Sequence, residues 1–310
     1  MRATFLIPAI AVSMIALAGC EIHDFGDFGG FQRYNEDFHF NYPMKSGARL
    51  MVESFNGSVE VSAWDQETID ISGTKYARSQ DEARDMKIDI SHSADSVSIR
   101  AIRPSMRRGN YGAQFVIKVP RGVVWDDLVT SNAGIRASDG AGPARLKTSN
   151  GRIEVRGLQG SLRAETSNNA IELQEVTGAM DLHTSNGHVR ADSVRGELAV
   201  STSNSSIRAT VEKSEGSIRL TSSNGSIDLT LPAGAQVPVR ARTSNNGITL
   251  HLPGEVNARL SASTSNGNIH TDFEMRLRGE IAKHHVDATI GNGGPLLDLG
   301  TSNGTVRVLK

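Results

Sequence analysis

One tripeptide, Thr-Ser-Asn, recurs along this 310-residue chain at a fixed interval. The first five copies begin at Thr130, Thr148, Thr166, Thr184 and Thr202, each 18 places after the copy before it. The spacing then loosens, with a Ser-Ser-Asn at Ser222 and further Thr-Ser-Asn copies at Thr243, Thr264 and Thr301. A period of this length, kept over so many copies, is typical of a chain that coils into a solenoid.

Apolar residues keep the same period inside each unit. Ile153, Val155, Leu158, Leu162 and Ala164 are matched one period later by Ile171, Leu173, Val176, Met180 and Leu182. The alternation around them predicts two short strands per unit, one after each Asn-Gly and one before each Thr-Ser. A corner containing Gly is expected between the two strands, as at Gly157-Leu158-Gln159-Gly160.

Several copies of the tripeptide continue into Gly. Examples are Asn150-Gly151, Asn186-Gly187, Asn224-Gly225, Asn266-Gly267 and Asn303-Gly304. We expect these Gly residues to adopt positive φ in a tight turn. Asn169 and Asn246 stand at the same position and are expected to adopt the left-handed region too, which Asn tolerates, whereas Ser205 fits it less well.

Two architectures compete for this pattern. Asn-Gly between alternating strands usually indicates a hairpin in an antiparallel meander. A meander does not require a residue to resemble the one 18 places later, whereas in a solenoid these two residues stack about 4.8 Å apart. A stacked column of Asn can also hydrogen-bond along itself. We therefore predict an all-β fold, a parallel β-solenoid of about 18–21 residues per coil.

The chain divides into four segments on this interpretation. Residues 128–310 hold the regular repeats, and residues 37–127 hold degenerate versions of the same unit, as at Asn56-Gly57. Ser79-Gln80-Asp81-Glu82 is a capping box, so a short helix is expected near 79–87. We expect this helix to cover the open end of the stack, which would otherwise expose unpaired strands.

The two remaining segments precede the repeats. Residues 1–19 carry Arg2 and then an apolar stretch, and they are too short to span a bilayer, so they are predicted to be a signal peptide. Leu17-Ala18-Gly19-Cys20 resembles the bacterial lipobox, in which lipid is attached to the Cys thiol. Cys20 is the only Cys in the chain. The alternative is an ordinary secretory signal with a chance Cys.

Residues 20–36 are predicted to be a flexible tether that follows the lipidated Cys20. No later stretch approaches the length of a transmembrane helix, so the mature chain would be anchored and not spanning. Glu21 is not the Asp that resembles an inner-membrane retention signal, which favours the outer membrane. Aromatic residues are concentrated in residues 21–42, and we expect them to pack on the first sheet rather than to contact lipid: Phe25, Phe28, Phe31, Tyr34, Phe38, Phe40 and Tyr42.

These features together resemble a bacterial family of adhesin-like proteins with repeated β-strands. The resemblance covers roughly residues 36–310 and depends on four stretches: Gly57-Ser58-Val59-Glu60-Val61, Val119-Pro120-Arg121-Gly122, the Thr-Ser-Asn-Gly series, and Gly291-Asn292-Gly293-Gly294-Pro295 before the last repeat. It implies a β-solenoid in a surface or envelope setting. It implies no ligand and no catalytic residues, so only the lipobox Cys20 is assigned a role.

Two acidic residues are the first candidates for catalysis. Glu154 and Glu172 occupy one outward column, which continues as Arg190 and Arg208. Two stacked carboxylates could serve as acid and base in glycoside cleavage. We expect instead a solvated face on which neighbouring Arg residues balance the acids.

Histidines and glycines give no stronger indication of a site. His183 and His188 flank one turn, and His284 and His285 are adjacent, but no Cys, Asp or Glu cluster accompanies them as a metal site requires. The stretch Gly291 to Gly294 lacks the Lys-Ser or Lys-Thr of a phosphate loop, so we expect a turn. We predict no catalytic residue, no metal and no cofactor.

Composition limits the partners. The formal net charge is -1 and aromatic residues make up 5% of the chain, which argues against nucleic-acid binding and against an aromatic-lined cofactor pocket. The sequence therefore predicts a non-catalytic, lipid-anchored cell-envelope protein whose solenoid binds an envelope protein or a glycan, or acts as a scaffold. The alternative is a β-helix carbohydrate-active enzyme, a polysaccharide lyase or hydrolase acting on envelope or extracellular glycans.

Overall fold

The computed structural model describes residues 34–93, 95–104, 110–277 and 284–310, which form two long β-sheets of 13 and 14 strands and one short helix. Most strands follow the alternation of the sequence, with one side chain buried and the next exposed. The elements of the N-terminal part are β1 (Tyr34–Pro43), β2 (Arg49–Glu53), β3 (Val59–Trp64), β4 (Thr68–Ala77), α1 (Gln80–Asp85), β5 (Lys87–His92), β6 (Ser96–Ile102), β7 (Gly112–Pro120) and β8 (Val124–Val129).

The middle of the chain is a regular parallel solenoid. Each coil gives one strand to each sheet, and residues one period apart lie opposite one another, as Ile153 and Ile171 do. The predicted solenoid is thus confirmed. Its strands are β9 (Ile135–Ser138), β10 (Ala144–Lys147), β11 (Ile153–Arg156), β12 (Leu162–Thr166), β13 (Ile171–Gln174), β14 (Met180–Thr184), β15 (Val189–Arg195), β16 (Leu198–Thr202), β17 (Ile207–Lys213), β18 (Ile218–Ser222) and β19 (Ile227–Thr230).

The core lies between the two sheets and is built of aliphatic columns. Ile153, Ile171, Val189 and Ile207 form one such column, and all are at most 1% exposed. Burying each of these side chains stabilises the fold by about 1.5–3 kcal/mol. The stacking that brings like residues together therefore also fills the core.

The N-terminal end departs from a simple coil. β2 and β3 stack in parallel on β8 and β9, but β6 and β7 lie outside them, on the far side of β2 and β3. Antiparallel strands then close this end, with β5 pairing with β6, and β4 pairing with β7 and β1. A pattern of short strands does not reveal their direction, so the sequence predicted only degenerate repeats here.

The helix expected near 79–87 is present over Gln80–Asp85. Ser79 Oγ accepts a hydrogen bond from the Glu82 N–H, as in a capping box, while the Glu82 carboxylate accepts one from the Arg78 N–H. The helix packs against β1 and β4. It contacts β1, the end strand of the 13-stranded sheet, and buries Ala83 in the core, so it lies at the end of the stack as expected, although β1 and β5 form the sheet edges themselves.

The C-terminal end inserts its last coil between two earlier ones. β26 lies between β20 and β22, and β27 lies between β21 and β23. Antiparallel β25 and β24 extend the 14-stranded sheet beyond β22. The strands are β20 (Val239–Arg242), β21 (Ile248–His251), β22 (Ala258–Thr264), β23 (Ile269–Thr271), β24 (Met275–Leu277), β25 (His285–Ile290), β26 (Leu296–Thr301) and β27 (Val306–Leu309).

Aromatic residues of the entering segment pack on the sheet, as expected. β1 begins at Tyr34, within the segment predicted as a tether. The rings of Phe38 and Phe115 meet edge to face, with 5.6 Å between their centroids, and Phe40 and Tyr42 are partly buried against the core. Phe25, Phe28 and Phe31 lie outside the described residues.

Candidate functional site

The Thr-Ser-Asn turns stack into one edge of the solenoid, and their Thr side chains are buried. Each Thr hydroxyl donates to a backbone carbonyl of a neighbouring coil. Thr166 Oγ1 donates to the Gly151 carbonyl at 2.9 Å, and Thr184 Oγ1 donates to the Asn169 carbonyl at 3.1 Å. Because a buried carbonyl without a partner is destabilising, these hydroxyls have a structural role.

The Asn side chains of the same turns form a solvent-exposed ladder. Apart from Asn56, whose Nδ2 donates to the Tyr111 carbonyl, each Nδ2 donates to the Oδ1 of the Asn in the adjacent coil, at 2.6–2.9 Å. In space the ladder runs through Asn56, Asn132, Asn150, Asn168, Asn186, Asn204, Asn224, Asn245, Asn303 and Asn266. The predicted self-bonding column of Asn is confirmed, and the inserted coil takes its place within it.

The Gly residues in these turns are required for a different reason from the one that the sequence predicted. Gly151, Gly187 and Gly225 are not among the described residues with positive φ, and neither are Asn169, Asn246 and Ser205. A Cβ on Gly187 would instead lie 1.7 Å from the Asn169 carbonyl oxygen. Close stacking of coils, not turn conformation, requires these Gly residues, which occupy alternate coils from Gly151 to Gly225 and adjacent coils at Gly304 and Gly267.

The left-handed conformation occurs at the opposite corner. Asp139, Gly157, Glu175 and Ser193 recur once per coil and have φ of 61°, 66°, 56° and 55°. Three of the four are not Gly, although such a conformation costs roughly 1–2 kcal/mol for an L-residue. The sequence therefore placed the positive-φ turn at the wrong corner, because Asn-Gly is the commoner signal for it.

Glu154 and Glu172 lie side by side on β11 and β13, facing out of the 13-stranded sheet. They line an open depression of about 620 Å³. Glu154 Oε2 lies 3.0 Å from Arg136 Nε, and Glu172 Oε2 lies 3.6 Å from Arg152 Nη1. Each carboxylate thus has a guanidinium partner, which agrees with the charge-balanced face expected from the sequence.

The described histidines are dispersed rather than clustered. His188 Nε2 lies 3.3 Å from Glu172 Oε1, His183 is exposed on β14, and His285 Nε2 lies 2.9 Å from Asp287 Oδ2. Within the described ranges, no three His, Cys, Asp or Glu side chains lie close enough to hold a metal. Gly291 and Gly293 have positive φ in the turn between β25 and β26, as predicted.

One polar cluster near the N-terminal end was not predicted. His39 Nε2 lies 2.6 Å from Asp70 Oδ2, and Ser72 Oγ donates to Asp70 Oδ1 at 3.2 Å. Burial raises the pKa of Asp70, but hydrogen bonds from His39, Ser72 and Asn41 and the charge of His39 outweigh it, so the pKa is lowered. The Ser hydroxyl contacts the acid and not the imidazole, so this arrangement does not supply a nucleophile with a base.

A basic cluster lies on the outer face of the 14-stranded sheet. It consists of Arg219, Arg240 and Arg242, which we call the arginine cluster. Arg240 lies directly opposite Arg219 on the next strand. Arg242 Nη2 lies 2.6 Å from Asp298 Oδ1, and Arg240 Nε lies 3.7 Å from Asp298 Oδ2, so two guanidiniums share one carboxylate. Asp298 reaches this place only because β26 is inserted next to β20, which sequence spacing could not indicate.

The predicted lipidation site, Cys20, lies outside the described residues. Among the residues that the structure does describe, none belongs to a helix long and apolar enough to cross a bilayer.

Comparison with known proteins gives a family and a set of distant structures. The Toastrack DUF4097 family matches residues 48–247, which is more than half of the chain. A search of curated protein sequences finds no match.

Two solved structures show how low the similarity is. A candidate adhesin from Bacteroides fragilis is 13% identical, with 88% of this chain and 97% of that chain covered and a TM-score of 0.39. A candidate adhesin from Parabacteroides merdae is 10% identical, with 89% and 97% covered and a TM-score of 0.33. The extent of the family match, over a stack of parallel coils, identifies this chain as a member of the Toastrack DUF4097 family.

Proposed function

We propose that this protein is a lipid-anchored cell-envelope protein whose solenoid binds a glycan or protein of the envelope, or acts as a scaffold there, without catalysis. The observation that carries the proposal is the character of the two sheet faces. They present charged side chains in columns over many coils, and the depression at Glu154 and Glu172 is open. Such surfaces suit repeated contacts with a large partner better than catalysis, which needs different groups to converge on one reacting bond.

The anchor is the second part of the proposal. Cys20 follows the lipobox-like Leu17-Ala18-Gly19 and is the only Cys, so lipid on its thiol is the simplest reason for its presence. Metabolic labelling with an alkyne fatty acid should label the wild-type chain and not Cys20→Ser. Glu21→Asp, which leaves the thiol in place, should keep the label and should move the protein from the outer to the inner membrane fraction.

Binding is tested by crosslinking the intact lipoprotein in its own envelope. We expect recovery of a defined glycan or protein partner, and a loss of adhesion or envelope integrity on deletion. Recovery of no partner together with no effect of deletion would contradict the proposal.

The alternative function is a β-helix carbohydrate-active enzyme. The pair Glu154 and Glu172 is the place to test it, because it holds two carboxylates in one depression. Incubation of the mature chain with envelope and extracellular polysaccharides should produce no new reducing or unsaturated ends. If such ends appear and disappear in Glu154→Gln, the enzyme is the correct interpretation and the binding proposal fails.

A further inference from the structure

The arginine cluster differs from the rest of its sheet face in how its charges are balanced. Further along the same face, Arg163 has two acidic partners, Glu165 at 2.7 Å and Asp181 at 3.3 Å. Arg219 stands in the same column and is exposed, yet no carboxylate lies within ion-pair distance of it among the described residues. The balance of charge that holds along the middle of the stack therefore ends at β18.

The cluster is also crowded with like charge. Arg219 and Arg240 are direct neighbours on parallel strands about 4.8 Å apart. Like charges in such positions destabilise a sheet, and Asp298, the acid that pairs with Arg240, is shared with Arg242. An anion placed over Arg219 and Arg240 would relieve this repulsion.

Small residues border the cluster on both sides. Ala199 lies opposite Arg219 on one side, and Gly300 lies beside Arg242 on the other. Gly300 is needed there, since a Cβ would lie 2.4 Å from Arg242 Nη1. That Nη1 is buried and has no hydrogen-bond partner in the described part of the chain, so the guanidinium is held by Asp298 and remains short of acceptors.

We propose that the arginine cluster binds a linear acidic polysaccharide through its carboxylates. Guanidinium groups pair with carboxylates in a bidentate manner, and a flat face offers no enclosed pocket for a small molecule. A polymer lying along the stack meets Arg219, Arg240 and Asp298 on consecutive strands, with the two guanidiniums first. This inference rests on the proposed binding function and names its site and ligand class.

The cluster lies far from the N-terminal end of the described strands. The lipid predicted on Cys20 joins the chain ahead of β1, and β5 lies at this end of the 14-stranded sheet. Nine strand spacings separate β5 from β20, which amounts to roughly 43 Å at about 4.8 Å per strand. The cluster is therefore far from the end of the sheet at which the described chain begins.

The test uses the mature chain with Cys20→Ser, which carries no lipid and needs no detergent, and calorimetric titration with three probes. These are polygalacturonate, dextran of similar length as the neutral control, and vesicles of phosphatidylglycerol. We expect the wild-type protein to bind polygalacturonate in a salt-dependent manner and to bind dextran at least tenfold more weakly, since loss of charge-assisted contacts of this kind corresponds to about a tenfold change or more. Binding of dextran and polygalacturonate with equal affinity would overturn the inference, as would no binding of polygalacturonate.

Variants locate the site. Arg219→Gln/Arg240→Gln should weaken polygalacturonate binding about tenfold, and Ala199→Asp, which gives Arg219 an acidic neighbour without removing it, should also weaken binding. Arg145→Gln/Arg163→Gln is the matched control, because it also removes two guanidiniums that lie opposite one another in the same column, and it should change binding less than twofold. Thermal melting checks that all variants are folded.

Two results would overturn the assignment in different ways. Unchanged polygalacturonate binding by Arg219→Gln/Arg240→Gln would place the ligand elsewhere. Cluster-dependent binding of phosphatidylglycerol vesicles without binding of polygalacturonate would make the ligand a lipid headgroup. In both cases, an envelope crosslinking pattern that the double variant leaves unchanged would show that the proposed function stands while this inference fails.

Discussion

The middle of the solenoid and its C-terminal end contain the same kind of turn, but their coils are stacked in a different order relative to the chain. From β10 to β19, each coil lies on the coil that precedes it in the chain. At the C-terminal end, the coil of β26 and β27 lies between two coils that both precede it in the chain. Both regions nevertheless share one Asn ladder, in which Asn303 bonds to Asn245 on one side and to Asn266 on the other.

This difference teaches that the ladder does not encode the order of the coils. Thr301 Oγ1 donates to the Asn246 carbonyl, and Thr264 Oγ1 donates to the Gly304 carbonyl, as their counterparts do in the middle. The inserted turn therefore bonds to its two spatial neighbours as the turns in the middle do, although it is not next to them in the chain. The antiparallel strands β24 and β25, which extend the sheet beyond β22, are what distinguish this end from the middle.

The largest effect is expected from a charge in the inserted strand. Val308 on β27 is fully buried between β21 and β23, so Val308→Asp should lower the free energy of unfolding by about 4 kcal/mol or more. Hydrogen exchange should accelerate in both β21 and β23. Ile269→Asp on the edge strand β23 is the control, and a smaller loss confined to that strand is expected. Equal effects of the two changes would contradict the inserted position of β27.

The next effect concerns glycine in the two regions. Gly187→Ala in the middle and Gly304→Ala in the inserted coil should each lower stability by about 3 kcal/mol, because Cβ would lie 1.7 and 2.0 Å from a carbonyl oxygen. Gly47 has positive φ, but a Cβ there would meet nothing within 4 Å. Gly47→Ala should therefore lower the free energy of unfolding by only about 1 kcal/mol. Chemical denaturation measures all three. If Gly47→Ala were the most harmful, conformation rather than stacking would be the cause.

Removal of polar groups from the Thr-Ser-Asn turns should have a smaller effect on stability. Thr184→Val leaves the Asn169 carbonyl and the Gly187 N–H without their partner. We expect this change to lower the free energy of unfolding by about 2 kcal/mol. Asn186→Ala removes only exposed hydrogen bonds, and about 1 kcal/mol is expected. The same pair in the inserted coil, Thr301→Val and Asn303→Ala, should give the same ranking in denaturation experiments. A reversed ranking would show that the exposed ladder, and not the buried hydroxyls, holds the coils together.

The smallest effect is one of pH in the middle of the stack. A hydrogen bond from Arg163 lowers the pKa of Glu165, burial opposes this, and Lys147 adds to it. A lowered pKa in the folded state stabilises the fold above the ordinary pKa of Glu, and the stabilisation is lost as pH falls through the folded value. Glu165→Gln should therefore be less stable than wild type by under about 1 kcal/mol at neutral pH. The difference should vanish in acid, and a difference that persists there would mean that charge is not its source.

Much of the regular part could be predicted from the sequence because its signals are local and repeated. Ile153 and Ile171 have like environments, so their spacing gave the parallel register and the core column. Glu154, Glu172, Arg190 and Arg208 were assigned correctly to one outward column for the same reason. Gly187 was explained wrongly, because its neighbour in space is a carbonyl oxygen of the preceding coil, which a turn signal does not include.

The sequence by itself determined that this chain makes stacked coils of two strands, which side chains face inward, and that Thr and Asn form columns. Periodicity decides these things, since every coil repeats the same local preferences. Only the tertiary structure decided that β6 and β7 lie outside β2 and β3, that the last coil enters between two others, and that Arg240 and Arg242 therefore share Asp298. Equivalent turns make the same bonds whether or not they are next to each other in the chain, so their order in space depends on long-range pairing that no repeated pattern can specify.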